Sequence, residues 1–289
     1  MAGKIEVNGK WYPDSAKILR LEKMSLTTVP DLTGFTQLEE LSLGKNALSG
    51  VVDLGRLPWR TLKSLSLHEN PLTQVKGLEQ ATALETLSLS GTSLKSVAGL
   101  PGLPRLSLLA LGQTPLKRLD PSVELPAVEY LQVSGTALTS LAGLGRMPNL
   151  GELIAEETSL ASLDGVEAGA RLWKLMIRGS QVMAIDPVAL LPQLELLLAA
   201  ETQVSAIPRL GGLDKLRELD LAQNPLARLE NLETFPSLES VAVTARAVRS
   251  VSRASYSFLQ ERGKRTMFYP AQRPSMIEEA VKKFRWTVD

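Results

Sequence analysis

Residues Leu84 to Leu94 read LETLSLSGTSL, and this stretch fits the pattern L-x-x-L-x-L-x-x-N/T-x-L, in which x is any residue. The same pattern returns along most of the chain. Its copies begin at Leu38, Leu62, Leu84, Leu106, Val128, Leu150, Leu172, Leu194, Leu216 and Leu238, with a degenerate first copy at Ala16. Every step is 22 residues except the step from Leu38 to Leu62, which is longer by two. A fixed period of this length predicts a repeat architecture.

A series of prolines supports the same register. Each of them lies two residues before the start of a copy: Pro104, Pro126, Pro148, Pro192 and Pro236. Proline cannot donate a ladder hydrogen bond, so we expect these residues on the irregular return that closes each copy. We call the copies coils, numbered from coil one at Ala16 to coil eleven at Leu238.

The alternation of leucine with polar residues predicts how one coil folds. In the coil that begins at Leu84, Leu87 and Leu89 point to one side of a short strand, and Thr86 and Ser88 point to the other. The leucines of one coil cannot be buried alone, so adjacent coils must stack and their strands must form a parallel sheet. The prediction is an α/β repeat solenoid, with the parallel β-sheet on its concave face and a mostly irregular or 3-10 helical convex side.

The ninth position of the coil is an amide or a hydroxyl residue in nine coils. These residues are Asn46, Asn70, Thr92, Thr114, Thr136, Thr158, Ser180, Thr202 and Asn224. They lie where each strand turns into its return, and backbone groups there need hydrogen-bond partners. We therefore expect a structural ladder at this position rather than a ligand site lined by hydroxyl groups.

The 22-residue pattern resembles the leucine-rich repeats of the SDS22-like class, which also includes the bacterial internalins. The resemblance covers most of the chain, from Ala16 to about Leu259. It implies a leucine-rich-repeat horseshoe, and it implies a binding role because members of this class bind many unrelated proteins. Internalins are exported and anchored, whereas this sequence shows neither an export signal nor an anchor. The resemblance therefore does not imply an adhesin.

The composition favours a cytoplasmic protein without a membrane partner. No apolar run approaches the roughly 18 residues that a membrane span needs. Residues Met1 to Glu6 lack the apolar core of a secretory signal. The chain contains no cysteine, which excludes disulfides, cysteine-ligated zinc and thiol catalysis. The absence of disulfides is also more typical of the cytosol than of secreted proteins.

Both ends of a stack of coils need a cap. Residues Ile5 to Tyr12 form two strand-like pieces around Asn8-Gly9, which is a strong hairpin signal. Residues 1–15 are thus predicted to be an N-terminal β-hairpin cap, with Trp11 laid over the first coil. The solenoid is assigned to residues 16–259, and residues 260–289 are assigned to a C-terminal α/β cap or a docking tail.

The C-terminal part of the chain differs in charge from the rest. Residues 246–289 hold 10 Lys and Arg against 4 Asp and Glu, and six of the 13 aromatic residues, whereas residues 1–245 hold 22 against 27. We predict a helix over Ser252–Arg262 closed by Gly263, and a strand over Lys264–Tyr269. A second helix should follow a capping box at Ser275–Glu278. Its apolar face is expected to contain Ile277, Ala280, Val281 and Phe284.

The sequence does not indicate catalysis. His68 is the only histidine, and Ser66 lies on the same side of its strand. Residues two apart on a strand are roughly 6.5–7 Å apart at the backbone, which is too far for a nucleophile–base pair, so we expect a solvated histidine. Glu156 and Glu157 are too few for a metal site. We therefore predict no enzyme activity, no cofactor, no metal and no small-molecule substrate.

The middle coils carry apolar residues at positions that should face solvent, and exposed apolar patches usually mark an interface. The predicted partner-binding residues are Leu108, Tyr130, Ile154, Trp173, Met176, Arg178, Leu196 and Leu198, with Arg178 in the polar rim. Alternatively, these side chains cover one another, or a terminal segment folds over them.

The predicted function is a non-enzymatic binding module that docks a partner protein on the concave face of coils five to nine. One alternative is binding of nucleic acid or an acidic partner through the basic, aromatic C-terminal tail. Nucleic acid is the less favoured partner, because the concave face contains few Lys or Arg residues. A structural or self-associating scaffold is the other alternative.

Overall fold

The computed structural model describes residues 3–261, 265–269, 273–275 and 277–289. Contacts within the chain divide it into two units, residues 1–137 with 145–150 and residues 138–144 with 151–289. In each unit, successive coils stack, and each coil contributes one short strand to a parallel sheet.

The first unit begins with a hairpin and continues with a sheet of coil strands. In chain order its strands are β1 (Lys4–Val7), β2 (Lys10–Pro13), β3 (Ile18–Arg20), β4 (Glu40–Ser42), β5 (Gly50–Asp53), β6 (Ser64–Ser66), β7 (Leu72–Lys76), β8 (Thr86–Ser88), β9 (Leu108–Ala110) and β10 (Tyr130–Gln132). The six coil strands β3, β4, β6, β8, β9 and β10 pair in parallel in that order. Strands β5 and β7 form a separate parallel pair on the returns. The degenerate first copy at Ala16 therefore forms a coil strand, as predicted.

The predicted N-terminal hairpin is present, but Trp11 does not cover the first coil. Strands β1 and β2 pair antiparallel, with Ile5 opposite Tyr12 and Glu6 opposite Trp11. The side of the hairpin that carries Ile5, Val7 and Tyr12 is the more buried one, and Trp11 remains 63% exposed. The prediction for Trp11 was wrong because residues alternate between the two faces of a strand, and this residue shares the outward face with Glu6.

The second unit contains a coil sheet and a C-terminal segment that extends it. Its strands are β11 (Glu152–Ile154), β12 (Lys174–Met176), β13 (Leu196–Leu198), β14 (Glu218–Leu221), β15 (Arg228–Leu229), β16 (Ser240–Thr244), β17 (Ser250–Val251), β18 (Arg265–Tyr269), β19 (Arg273–Ser275) and β20 (Thr287–Val288). The five coil strands β11 to β14 and β16 pair in parallel. Strand β18 then pairs parallel with β16, and β19 pairs antiparallel with β18. Strands β15, β17 and β20 form a second small sheet.

The remaining regular structure is helical and short. Short 3-10 helices lie on the returns at Leu144–Arg146, Val166–Ala168, Asp186–Leu190 and Leu232–Thr234. Two α-helices follow, α1 at Arg253–Glu261 and α2 at Ile277–Phe284. Six coil strands in the first unit and five in the second, among the residues described, confirm the predicted repeat fold with a parallel sheet and largely irregular returns. No helix in the described part of the chain is long and apolar enough to cross a lipid bilayer.

The C-terminal segment packs on the last coils of the second unit. In α2, Ile277 and Ala280 are buried on the predicted face. The buried Trp286 donates its indole N–H to the carbonyl of Ala245 at 3.3 Å. Strand β18 agrees with the strand predicted there. The predicted helix end at Arg262 and Gly263, the predicted strand start at Lys264, and Met276 of the capping box lie outside the described residues.

The ladder at the ninth position is present in both units, and eight of its nine members are buried. Each threonine donates its hydroxyl to the carbonyl three residues before it, as Thr92 does to Leu89 at 2.7 Å. The asparagines also reach the preceding coil. Asn70 donates to the carbonyls of Leu67 at 2.9 Å and Leu43 at 3.0 Å, and its side-chain oxygen accepts from the amide of Leu48. The structure thus supports the predicted structural role for this position.

Candidate functional site

The strands of the second unit alternate between a buried and a partly exposed face. The middle residues of β11, β12 and β13, which are Leu153, Leu175 and Leu197, are fully buried in the stack. The residues on either side of them point away from the core and are half-buried. This alternation confirms the register predicted from the repeat. The candidate surface is therefore the side of the sheet that faces away from the leucine core.

An apolar row crosses this surface at the fifth position of three successive coils. Ile154 pairs in register with Met176, and Met176 pairs with Leu198. Paired strands lie about 4.8 Å apart, so the three side chains are neighbours on one face. All three are half-buried, which means that each side chain partly covers the next and still leaves surface available. We call Ile154, Met176 and Leu198 the apolar row.

A lysine and a tryptophan lie beside the apolar row. The Lys174 Nζ atom is 3.2 Å from a carboxylate oxygen of Glu152, and both side chains are only 25% exposed. The same Nζ atom is 5.9 Å from the ring centre of Trp173, which is within the range of a cation–π interaction. Trp173 is 37% exposed. Leu196 lies directly opposite Lys174 on the next strand and is half-buried.

Arg178 is held by a carboxylate of the next coil. Its Nε atom donates to Glu201 at 3.1 Å, and this hydrogen bond raises the pKa of the guanidinium group. Glu201 also accepts a hydrogen bond from the side-chain amide of Gln223 at 2.8 Å. Arg178 is exposed. Its charge is partly compensated by Glu201.

Asp220 lies next to these residues and was not among those predicted from the sequence. It lies opposite Leu198 in the register and therefore extends the line of the apolar row. Burial raises the pKa of its carboxyl group, while the amide of Ala222, which donates to it at 2.9 Å, and the charge of Arg178 lower it. An aspartate between two leucines, here Leu219 and Leu221, follows the ordinary alternation of the repeat, so only the three-dimensional position beside Leu198 identifies it.

The other two predicted residues lie in the first unit. Leu108 pairs in register with Tyr130 on β9 and β10, and both side chains are half-buried on the outward face. They occupy the third position of their coils, whereas the apolar row occupies the fifth. In the second unit, the third position carries Glu152 and Lys174 before it becomes apolar again at Leu196.

The expectation for Ser66 and His68 was wrong. The Ser66 Oγ and His68 Nδ1 atoms are 2.8 Å apart, and the histidine is half-buried. His68 lies beyond the end of β6, where the chain turns and its side chain can bend back toward Ser66. A Cβ atom at Gly44 would overlap the imidazole Cε1 atom, so the ring rests against the preceding coil. The backbone spacing alone had suggested that the two side chains were too far apart.

This hydrogen bond fixes the orientation of the imidazole ring, and further polar groups lie nearby. The hydroxyl of Ser42 donates to Glu22 at 2.6 Å, and this bond lowers the pKa of the Glu22 carboxyl group. Within the described ranges, no hydrogen bond joins a carboxylate to His68. In the same ranges, no group of three or more His, Asp or Glu side chains is placed to hold a metal ion.

No protein-family model and no curated protein matches the chain. The chain is similar in structure to a leucine-rich-repeat protein of Leptospira interrogans, with 21% identity and a TM-score of 0.64 over 92% of this chain and 76% of that one. An internalin of Listeria monocytogenes matches with 19% identity and a TM-score of 0.57 over 84% of this chain and 86% of that one.

A third similar structure is the Toll–Spätzle complex of Drosophila, with 18% identity and a TM-score of 0.69. That match covers 82% of this chain and 35% of the other, so the chain spans about a third of its length. At sequence identities this low, the similarities concern the fold. Together with the stacked 22-residue coils, they show that the chain has the leucine-rich-repeat fold.

Proposed function

We propose that the chain is a protein-binding module whose partner docks on the outward sheet face of the second unit. The observation that carries this proposal is the apolar row. Ile154, Met176 and Leu198 leave apolar surface exposed on three hydrogen-bonded strands, where a solvated sheet face would be polar. Trp173 supplies a large aromatic side chain at its edge, and aromatic residues and methionine are enriched in interfaces.

The charges around the apolar row indicate the chemistry of the partner. Lys174 and Arg178 are already paired with Glu152 and Glu201. Asp220 lies at the end of the row and forms no ion pair within the described ranges. The surface therefore has unmatched negative charge beside exposed apolar groups. A polypeptide segment with apolar side chains and a neighbouring Lys or Arg would complement it.

We propose that the remaining predicted residues make secondary contacts with the partner. Leu196 lies on β13, between β12, which carries Lys174, and β14, which carries Asp220. Its side chain adds apolar surface. Leu108 and Tyr130 form a separate half-buried pair on the sheet of the first unit. We propose that this pair also contacts a partner, and its variants are to be measured separately from those of the second unit.

Selection of a random peptide library displayed on phage tests the proposal without knowledge of the natural partner. The selected peptides should combine apolar or aromatic residues with at least one Lys or Arg. They should bind the wild-type protein and lose binding to Met176→Asp, which places a charge in the apolar row. Ser88→Asp makes the same kind of change at the same coil position in the first unit and should leave binding unchanged.

Calorimetry with a selected peptide gives the size of the effect. Met176→Ala and Trp173→Ala should each weaken binding by more than about 1 kcal/mol, because a few large central side chains usually carry most of the binding energy. Tyr130→Ala measures the contribution of the first unit. His68→Ala and Ser66→Ala are the controls and should bind normally. Normal affinity of both Met176→Ala and Trp173→Ala would contradict the proposal.

A further inference from the structure

The longest coil of the first unit contains two extra residues. They lie between Leu38 and Leu62, and the sequence around the extension reads Leu57-Pro58-Trp59-Arg60-Thr61. The amide of Trp59 donates to the carbonyl of Leu57 at 2.9 Å, and the amide of Thr61 donates to that of Pro58 at 3.1 Å. The added residues thus form a tight local turn and leave the coil strands on either side in register.

The turn buries an indole ring without satisfying its N–H group. Trp59 is only 4% exposed, and its Nε1 atom has no hydrogen-bond partner within the described part of the chain. Buried polar groups are nearly always paired, so an unpaired one calls for an explanation. Trp286 provides the contrast, because its buried indole N–H is bonded to the carbonyl of Ala245. Trp59 therefore retains one free donor in an otherwise apolar position.

A cavity of about 620 Å³ opens beside Trp59. Phe35, Leu57 and Trp59 provide apolar walls, while Thr33, Thr61 and Gln80 provide hydroxyl and amide groups. Clefts of roughly 300–1,000 Å³ with mainly apolar walls and a few polar groups are typical of sites for small organic ligands. No other coil of the first unit has an extension of this kind, because every other step is 22 residues.

A second depression, of about 360 Å³, shares Arg60 and Thr61 with this cavity and is strongly basic. Its lining contains Lys17, Arg60, Lys63 and Arg105 with a single carboxylate, Glu39. Glu39 is within 3.1 Å of the Lys17 ammonium group and 2.8 Å of the Lys63 ammonium group, and its pKa is lowered by these contacts.

Glu39 is therefore fully engaged by the two lysines. Arg60 and Arg105 form no ion pair with any of the residues that the structure describes. Two unpaired guanidinium groups next to an apolar cavity favour an anionic group, because guanidinium binds carboxylate and phosphate through two parallel hydrogen bonds.

We propose that the cavity beside Trp59 binds a small organic anion with an apolar body. The apolar body occupies the cavity beside Trp59, and the carboxylate or phosphate group is bound by Arg60 and Arg105. The indole N–H is enclosed in the wall of this cavity and is not one of the ligand contacts. This site is independent of the surface proposed for protein binding, since all of its residues belong to the first unit and none lies in the apolar row.

Titration calorimetry with three probes of equal chain length tests how binding depends on the charge of the ligand's head group while its apolar chain stays the same. Decanoate carries an anionic head, decanol a neutral head and decyltrimethylammonium a cationic head. At low ionic strength, decanoate should bind with a stoichiometry of one, and at least about tenfold more tightly than the cationic probe. Equal binding of all three probes, or no binding of decanoate at millimolar concentration, would overturn the proposal.

Point variants locate the site. Arg60→Ala removes an exposed charge and should weaken decanoate binding about tenfold, with the thermal midpoint unchanged. Trp59→Phe keeps an aromatic ring but makes this wall of the cavity smaller, and it should weaken binding by a smaller factor. Arg209→Ala removes an exposed arginine of the second unit and should bind decanoate like the wild type. Unchanged affinity of Arg60→Ala would place the anion elsewhere and contradict the proposal, whether or not Trp59→Phe folds normally.

Discussion

The fifth position of the coil carries different chemistry in the two units, although the strands have the same geometry. In three successive coils of the first unit it is serine, and in three successive coils of the second unit it is apolar. The residues are Ser42, Ser66 and Ser88 in the first unit, and Ile154, Met176 and Leu198 in the second. All six lie on the outward face of their sheets and are half-buried.

The residues beneath these two faces are the same. Leu65 in the first unit and Leu175 in the second are fully buried leucines at the fourth position of their coils. The inward residues therefore determine the stack, and the outward residues determine what each face can contact. This fold therefore leaves the surface chemistry free to change from one group of coils to the next.

The largest effect should come from the inward residues and should be similar in both units. Leu131 in the first unit is fully buried like Leu175 in the second. Leu131→Ala and Leu175→Ala should each lower the free energy of unfolding by about 2–5 kcal/mol, because each empties a space in a close-packed core. Ser88→Ala, on the outward face, should change stability little. Urea denaturation of the three variants measures this. A large loss in only one unit would show that the two cores are not equivalent.

A smaller effect should arise where His68 rests against Gly44. The Gly44→Ala variant places a methyl group where the imidazole ring lies, so the ring must move and the hydrogen bond to Ser66 is lost. We expect a loss of about 1 kcal/mol, at the lower end for overpacking, because the ring can rotate away. In a His68→Ala background, the same substitution should cost almost nothing. A double-mutant cycle by chemical denaturation measures this coupling, and additive effects would show that the ring is not packed there.

The smallest effect concerns Asp220 on the face of the second unit. Its pKa is raised in the folded state, mainly by burial, with Glu201 adding to the increase and Arg178 opposing it. The folded protein then binds more protons than the unfolded chain at pH values above the ordinary aspartate pKa of 3.8. The stability associated with this group is therefore complete below that pH, and it is lost as the pH rises through the folded pKa.

The Asp220→Asn variant isolates this contribution, since its side chain is neutral at every pH. The variant should be slightly more stable than the wild type at pH 7, and the difference should shrink as the pH falls toward 4. Thermal unfolding of both proteins across this range provides the measurement. A constant difference would mean that the carboxyl group titrates as it does in the unfolded chain.

Periodic features of the chain could be predicted from the sequence, because the period fixes which residues face inward. The burial of Leu153, Leu175 and Leu197, the half-buried positions on either side of them and the ladder at the ninth position all follow from a 22-residue step and from alternation along a strand. The outward apolar residues could be named for the same reason. Their function could not, because outward residues do not determine the fold.

Features that interrupt the period escaped prediction. The bond between Ser66 and His68 depends on side-chain rotamers just after the end of a strand, where backbone spacing no longer fixes the distance. Trp11 belongs to a hairpin outside the repeat, so no periodic rule assigns its buried face. The cavity at Trp59 arises from an extension that has no equivalent in the neighbouring coils. In each case the outcome depends on contacts between segments rather than on a pattern within one segment.

The ninth-position ladder has a consequence for how the stack would respond to mechanical load. Within the first unit, Asn46 and Asn70 each connect two neighbouring coils through their side chains, whereas Thr92 bonds only within its own coil. A force that separates coils along the stack would have to break an additional side-chain hydrogen bond between coils at each asparagine. No such bond has to break at Thr92. Within the first unit, we expect rupture to begin at the coil that carries Thr92 and to proceed coil by coil, each step releasing roughly 75 Å of extended chain.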